Sequence, residues 1–200
     1  MLELPKSTEM SKQLPKKAIY AKFQMNTAEK EKIDADIAKI TIVNEVTPDK
    51  VNMPAGDEVK SFFVLLVSLK RRNFDEKTVA TLSKLIPQNI LFVLEYNGES
   101  KLAVYRLKVL QTGWKPTEEQ RVELQGLNLD KVWENIIRSL ELEVWNEELS
   151  INENIELHEK QAKLQKEIAR LEKQARAEKQ PKKKFELVQK IKKLKKEVLS

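Results

Sequence analysis

The chain has 200 residues, a formal net charge of +6 and no cysteine. This length allows one domain of ordinary size with an appendage, and the lack of cysteine excludes disulfides and thiolate metal sites and is typical of a reducing compartment. No apolar segment approaches the ~20 residues that a membrane-spanning helix needs, and the amino terminus lacks the apolar core of a secretory signal. We therefore expect a cytoplasmic protein with no membrane partner.

The amino-terminal quarter carries signals for one helix and one strand. Residues 1–13 are expected to form a loose lead-in, and Ala18–Phe23 a short strand or a turn. Asn26 and Glu29 have the spacing of a capping box, in which each residue satisfies a backbone N–H of the other. The helix that they open should end just before Ile40–Val46, a run of β-branched residues that predicts a strand.

Two apolar runs form the expected centre of a sheet. Phe62–Val67 and Ile90–Tyr96 have the length of strands and are rich in β-forming residues. Between them, Asp75–Leu85 has helical spacing, and Pro87 ends it. The order strand, helix, strand predicts a parallel crossover in a small α/β domain.

A β-hairpin is expected to follow the second run. Asn97-Gly98 indicates a tight turn, because both residues tolerate positive φ. The alternating pattern of Lys101–Leu110 then predicts one continuous strand with most of its charge on one face.

The domain is expected to close with an amphipathic helix. Residues 122–126 form a short edge strand or a loop, and Asn128 is a good N-cap for a helix over Leu129–Trp145. The first domain is therefore predicted to cover residues 1–148.

Residues 149–200 are expected to form a helical hairpin. The segment 177–181 is short enough to turn the chain back, which gives two antiparallel helices of ~40 Å and ~25 Å. Such narrow apolar seams are stable only when they are paired, with each other, with a second copy of the chain or with another subunit. The residues with coiled-coil spacing are Leu157, Leu164, Ile168, Leu171, Ala175, Leu187, Ile191, Leu194 and Val198.

The excess positive charge lies in this tail alone. From Ser150 onward, 15 Lys and Arg residues face 8 Asp and Glu residues, whereas the preceding part holds 22 and 23. Lysines without nearby acids indicate binding to phosphates or to an acidic protein, although a solvated coiled-coil face is the simpler interpretation. Candidate nucleic-acid contacts are Lys182, Lys183, Lys184, Lys190, Lys192, Lys193, Lys195 and Lys196, together with Arg71 and Arg72 at the end of the first central strand.

Several short segments, taken in their order along the chain, resemble one bacterial family. They are Ser68-Leu69-Lys70, Ile86-Pro87, Ile90–Leu94, Tyr105–Lys108 and Lys182–Leu187. The sequence resembles the uncharacterised domain of unknown function 4391 over nearly its whole length. The resemblance implies genes that neighbour helicase and DNA methyltransferase genes in restriction or phage-defence loci. It thus implies an accessory role near DNA and no known activity.

The same resemblance raises one catalytic alternative. Relatives in the family often have an acid two residues before the lysine that corresponds to Lys70, and acid-x-lysine at the end of a central strand is typical of Mg²⁺-dependent nucleases of the restriction-endonuclease type. Here the acid position is Ser68, which lacks the anionic oxygen that Mg²⁺ favours. A metal site beside Lys70 would have to use Glu58, Glu45 or Asp57, so such a domain is expected to be degenerate.

The expected fold is α/β (α+β), a small mixed β-sheet flanked by helices and followed by a C-terminal antiparallel helical hairpin or coiled coil. The leading hypothesis is a non-catalytic accessory module with no cofactor, which docks to a helicase or methyltransferase subunit and contacts DNA or RNA through the basic hairpin. The alternatives are the Mg²⁺-dependent, nuclease-like domain and a structural coiled-coil adaptor, which would form a homo-oligomer through the hairpin.

Overall fold

The structure is a computed structural model, which describes residues 2–140 and 145–199, without the side chains of residues 198 and 199. The chain divides into two compact units, residues 1–142 and 143–200. We call them the sheet unit and the hairpin unit. The sequence predicted a boundary six residues later, at residue 148.

The sheet unit contains a seven-stranded mixed sheet. Six strands follow one another in chain order across the sheet, and β7 pairs with β5 at its edge. All neighbours are antiparallel except β3 and β4, so the predicted mixed sheet with flanking helices is confirmed. The strands are β1 (Glu9–Gln13), β2 (Ile37–Val46), β3 (Phe62–Leu69), β4 (Asn89–Tyr96), β5 (Glu99–Arg106), β6 (Lys108–Gln111) and β7 (Lys115–Pro116); the helices are α1 (Lys16–Lys22), α2 (Thr27–Asp36), α3 (Pro48–Val51), α4 (Lys77–Leu82) and α5 (Leu129–Arg138).

The parallel crossover lies at the centre, as the two apolar runs predicted. β3 and β4 pair from Phe62 with Asn89 to Ser68 with Glu95, and most of their side chains are buried. The helix between them is shorter than predicted, because i→i+3 hydrogen bonds from Lys84 and Leu85 tighten the chain after Leu82. The core of the unit thus lies against both faces of this strand pair.

The predicted hairpin is confirmed at its turn and wrong in its second strand. Asn97 and Gly98 both have positive φ, at 51° and 83°, and they connect β4 to β5. The strand predicted over Lys101–Leu110 is instead two strands, because the chain reverses at Leu107, where φ is 60° and Arg106 pairs with Lys108. The alternation of apolar and polar residues runs unbroken through this reversal, so the pattern did not reveal it.

The amino terminus is more ordered than predicted. Residues 9–13 form β1, which extends the sheet beyond β2, and the buried Asn44 side chain donates to the Thr8 hydroxyl at 2.9 Å. Residues 16–22 are helical, where a strand or turn was predicted, and they bury Ile19. A lead-in of few apolar residues is ordered here because β2 offers it an open strand edge.

The N-caps predicted at Asn26 and Asn128 are confirmed. Asn26 and Glu29 form the capping box of α2, and the Asn128 side chain accepts from the Lys131 N–H at 3.0 Å to begin α5. The apolar face of α5 is buried, and the ring centres of Trp133 and Phe62 are 5.2 Å apart. The helix ends at Arg138 rather than at Trp145, and residues 141–144 of the predicted helix lie outside the described residues.

The hairpin unit consists of α6 (Ile151–Ala177) and α7 (Pro181–Leu199), joined by residues 178–180. A capping box of Ser150 and Glu153 begins α6. Apolar residues of both helices share one small core, so the predicted helical hairpin is confirmed. They are Ile168, Leu171 and Ala175 of α6 with Leu187, Ile191 and Leu194 of α7. No helix in the described part of the chain is long and apolar enough to cross a bilayer.

Candidate nucleic-acid interface

Three basic residues follow β3, Lys70, Arg71 and Arg72, and each contacts other residues of the sheet unit. The Lys70 ammonium donates to the backbone carbonyl of Asp34 at 2.6 Å. The Arg71 guanidinium forms an ion pair with the carboxylate of Asp36, which is fully buried and whose other oxygen accepts from the Asp75 N–H at 3.2 Å. Arg71 therefore joins the end of β3 to the start of β2.

The third cation of this cluster, Arg72, has two partners of its own. It is 2.9 Å from a carboxylate oxygen of Glu99, and its guanidinium lies 5.1 Å from the ring centre of Trp114. The Lys101 ammonium lies on the same ring at 5.4 Å and on that of Phe74 at 5.0 Å. Because Arg71 and Arg72 are paired with carboxylates, these two arginines offer a phosphate little net positive charge.

Loss of the buried carboxylate is expected to cost stability rather than binding. Asp36→Asn should lower the free energy of unfolding by about 2 kcal/mol, less than the ~3–5 kcal/mol of a fully buried pair, because the Arg71 side chain is 55% exposed. The matched control is Asp34→Asn, because Asp34 is half-exposed and paired with Lys16 and its loss should cost less than ~1 kcal/mol. Urea unfolding of both variants measures the difference, and equal losses would contradict the role assigned to Asp36.

The structure does not bring the acids of the nuclease alternative to Lys70. Glu45 pairs in register with Phe63, at the other end of β3, and Glu58 precedes that end. At about 3.3 Å per residue this separation is roughly 20 Å. Glu45 is bound to Lys50 at 2.6 Å, and Glu58 lies 3.6 Å from Arg106. Among the described residues, no three Asp, Glu, His or Cys side chains cluster where they could hold a metal.

Two of the predicted tail lysines face α6. Lys195 is 2.8 Å from a carboxylate oxygen of Glu172, and Lys190 is 3.9 Å from Glu167. The hydrogen bond from Lys195 lowers the pKa of Glu172, and that from Arg170 lowers the pKa of Glu167. Lys190 also lines, with Lys183, a cleft of about 640 Å³ beside the turn. Lys190 and Lys195 are therefore paired with acids of α6.

The predicted lysines of α7 are all exposed, Lys190 and Lys195 included. With the apolar residues of α7 packed on α6, the 3.6-residue period puts one set of side chains on the opposite side of the helix. We call this set the outer face. It consists of Lys182, Phe185, Gln189, Lys192, Lys193 and Lys196, all of them exposed. Lys184 is exposed as well but lies toward one edge.

The outer face carries cations toward both of its ends, Lys182 at one and Lys192, Lys193 and Lys196 at the other. From Lys182 to Lys196 it spans about 21 Å at 1.5 Å per residue, and no carboxylate belongs to it. Glu186 and Glu197, the acidic residues of α7, lie at its margin. The ligand expected on such a surface is an extended polyanion.

Sequence reasoning missed two features. Phe185 was not assigned a role, although its place in the helical period next to Lys182 was available as a signal. Asp130 was not noticed either, because its contacts with the loop at Asp57–Val59 join residues more than 70 positions apart.

The comparisons with known proteins support the family alone. The sequence profile of the family described as Domain of unknown function (DUF4391) matches residues 2–198, which is nearly the whole chain. No curated protein and no solved structure shows significant similarity to the chain. The chain therefore belongs to the DUF4391 family, as the resemblance of its short segments indicated.

Proposed function

We propose that this protein is a non-catalytic accessory module of a bacterial DNA-processing or defence system, and that it contacts nucleic acid through the outer face of α7. The proposed protein partner is a helicase or methyltransferase subunit. This part of the proposal rests on the gene neighbourhoods that the family resemblance implies.

The observation that carries the nucleic-acid contact is the separation of roles on α7. Its apolar residues pack on α6, and Lys190 and Lys195 pair with glutamates of α6. Lys182, Lys192, Lys193 and Lys196 remain on the exposed outer face. A helix that needed lysines only for solubility would not require this segregation, because mixed charges serve that purpose as well.

The sheet unit contributes little to polyanion binding in this proposal. Residues 1–142 are nearly neutral, with 22 basic against 20 acidic residues. Arg71 and Arg72 are also paired with Asp36 and Glu99. Lysine ammonium groups contact phosphates as flexible point charges, without reading bases. The proposed contact is therefore independent of sequence.

Salt dependence tests this proposal. Four lysine contacts on a single strand should give a slope of about −3 for log K against log salt concentration, since each contributes about −0.7. The measurement is fluorescence anisotropy of a labelled oligothymidylate of about 20 nucleotides, longer than the ~4–16 nucleotides that one small binding fold covers. Poly-glutamate serves as a competitor. Undetectable oligonucleotide binding at low salt would contradict the proposal, as would displacement by poly-glutamate at equal charge concentration, which indicates an acidic protein partner.

A further inference from the structure

Phe185 is exposed on the outer face, between Lys182 and Lys192. It is 63% exposed, and among the described residues only Leu107 and Leu127 are large apolar side chains of similar exposure. The neighbouring apolar residues of α7, by contrast, are used in the hairpin core. Phe185 is thus an aromatic side chain that the fold of the hairpin unit does not employ.

Its position relates it to the lysines of the outer face. Lys182 is one helical turn before Phe185, at about 4.5 Å along the axis, and Lys192 and Lys193 follow at about 10–12 Å. All four side chains are exposed. A ligand that contacts lysines on both sides of Phe185 must therefore pass over the aromatic ring.

We propose that the outer face binds single-stranded nucleic acid, with the Phe185 ring stacked on an unpaired base and the lysines on the flanking phosphates. This inference rests on the proposed nucleic-acid contact and names its substrate class. Every base has a π-face, so stacking on an aromatic side chain tolerates any sequence and adds to the backbone attraction. In a duplex those faces are covered by neighbouring base pairs, so an aromatic side chain on a convex helix gains nothing there.

A membrane surface fits the same residues less well. A helix that lies on a bilayer buries a continuous apolar stripe, whereas the stripe of α7 is packed against α6. Phe185 alone offers a small apolar area, and Gln189 follows it one turn later on the outer face.

The test compares three variants on two probes. The probes are the labelled oligothymidylate and a duplex of the same length. The variants are Phe185→Ala, Phe185→Trp and the control Leu127→Ala, which removes another exposed apolar side chain. Phe185→Ala should weaken single-strand binding at least about fivefold and leave duplex binding unchanged. Phe185→Trp should restore or strengthen it, and Leu127→Ala should change neither.

The contrary outcomes are distinct. If Phe185→Ala leaves single-strand binding unchanged, or weakens both probes equally, the stacking proposal is overturned while the lysine contact stands. If wild-type protein binds neither probe, both proposals fail together. If Phe185→Ala instead abolishes binding to anionic phospholipid vesicles and the oligonucleotide is not bound, the aromatic residue serves a lipid surface. Circular dichroism of each variant verifies that α6 and α7 remain helical.

Discussion

Replacement of the four outer-face lysines by glutamine is expected to weaken binding of the oligothymidylate several hundredfold at 0.1 M salt. The variant is K182Q/K192Q/K193Q/K196Q, and glutamine keeps a helix propensity close to that of lysine. Four contacts with a slope of about 0.7 each amount to about 2.8 decades between 1 M salt, where counterion release no longer favours binding, and 0.1 M. The slope of log K against log salt concentration should become shallower, changing from about −3 to nearly zero.

A control of equal charge separates a local contact from general attraction. K12Q/K17Q/K39Q/K84Q removes four lysines that are exposed in the sheet unit and lowers the net charge by the same amount. Because the proposed contact uses only the lysines of the outer face, this variant should keep the wild-type slope. Equal losses in the two variants would show that net charge, and not the outer face, attracts the oligonucleotide.

Removal of the Asp130 carboxylate is expected to cost the largest amount of stability, about 3 kcal/mol. The side chain accepts from the backbone N–H groups of Asp57 at 2.6 Å, Val59 at 2.7 Å and Glu58 at 3.2 Å. Hydrogen bonds to a charged acceptor contribute about 1.5–3 kcal/mol each when buried and less when exposed, and only Val59 is buried here. Asp130→Ala would thus detach the loop that precedes β3 from helix α5. Urea unfolding measures the loss of stability.

Gly56 provides a double-mutant cycle for the same contact. A Cβ added to Gly56 would overlap the Asp130 carboxylate, so Gly56→Ala should displace the carboxylate and cost about as much as Asp130→Ala. In the Asp130→Ala background the space is open, so Gly56→Ala should add little. Strong non-additivity of this kind is typical of residues in direct contact. Simple addition of the two losses would contradict the packing of Gly56 against Asp130.

The Asp130 contact also predicts how stability depends on pH. Burial by itself raises the pKa of Asp130, but hydrogen bonds from the backbone N–H groups of Val59, Asp57 and Glu58 outweigh it, so that the pKa is lowered from 3.8. A lowered pKa means that the carboxylate stabilises the fold above the pKa of the unfolded chain, and that this stabilisation is lost as pH falls through the folded pKa. The difference in unfolding free energy between wild type and Asp130→Ala should therefore be constant near pH 7 and shrink below about pH 4. If the difference in unfolding free energy grew as the pH fell, the lowered pKa of Asp130 would be contradicted.

Local sequence signals predicted those parts of the fold that depend on neighbouring residues. The capping box of Asn26 and Glu29, the N-cap Asn128 and the turn at Asn97-Gly98 all act within a few positions of the chain, and all are present. The apolar runs of β3 and β4 were also recognised, because a strand that is buried on both faces has little polar sequence. The helical hairpin was predicted from the coiled-coil period of its apolar residues.

The wrong predictions have other causes. Residues 9–13 are polar and become β1 only because β2 provides a partner edge, and the reversal at Leu107 has no glycine or asparagine to mark it. The reversal pairs residues at most eight positions apart, so it was missed for lack of a turn residue, whereas β1 forms because pairing with a distant strand overrides local preference. Helix α2 ends at Asp36 rather than near Lys39 for the same reason, since Ile37 already pairs with Leu69 of β3.

The sequence by itself determined the family, the order of the central elements and the concentration of positive charge in the tail. Only the tertiary structure decided which cations are available to a ligand, because ion pairs such as those of Arg71 with Asp36 and Lys195 with Glu172 join residues far apart in the chain. The same holds for Phe185, to which the sequence assigned no role and which is an exposed aromatic side chain once Leu187, Ile191 and Leu194 form the hairpin core. Charge and period are properties of the chain, whereas pairing and exposure exist only after the chain has folded.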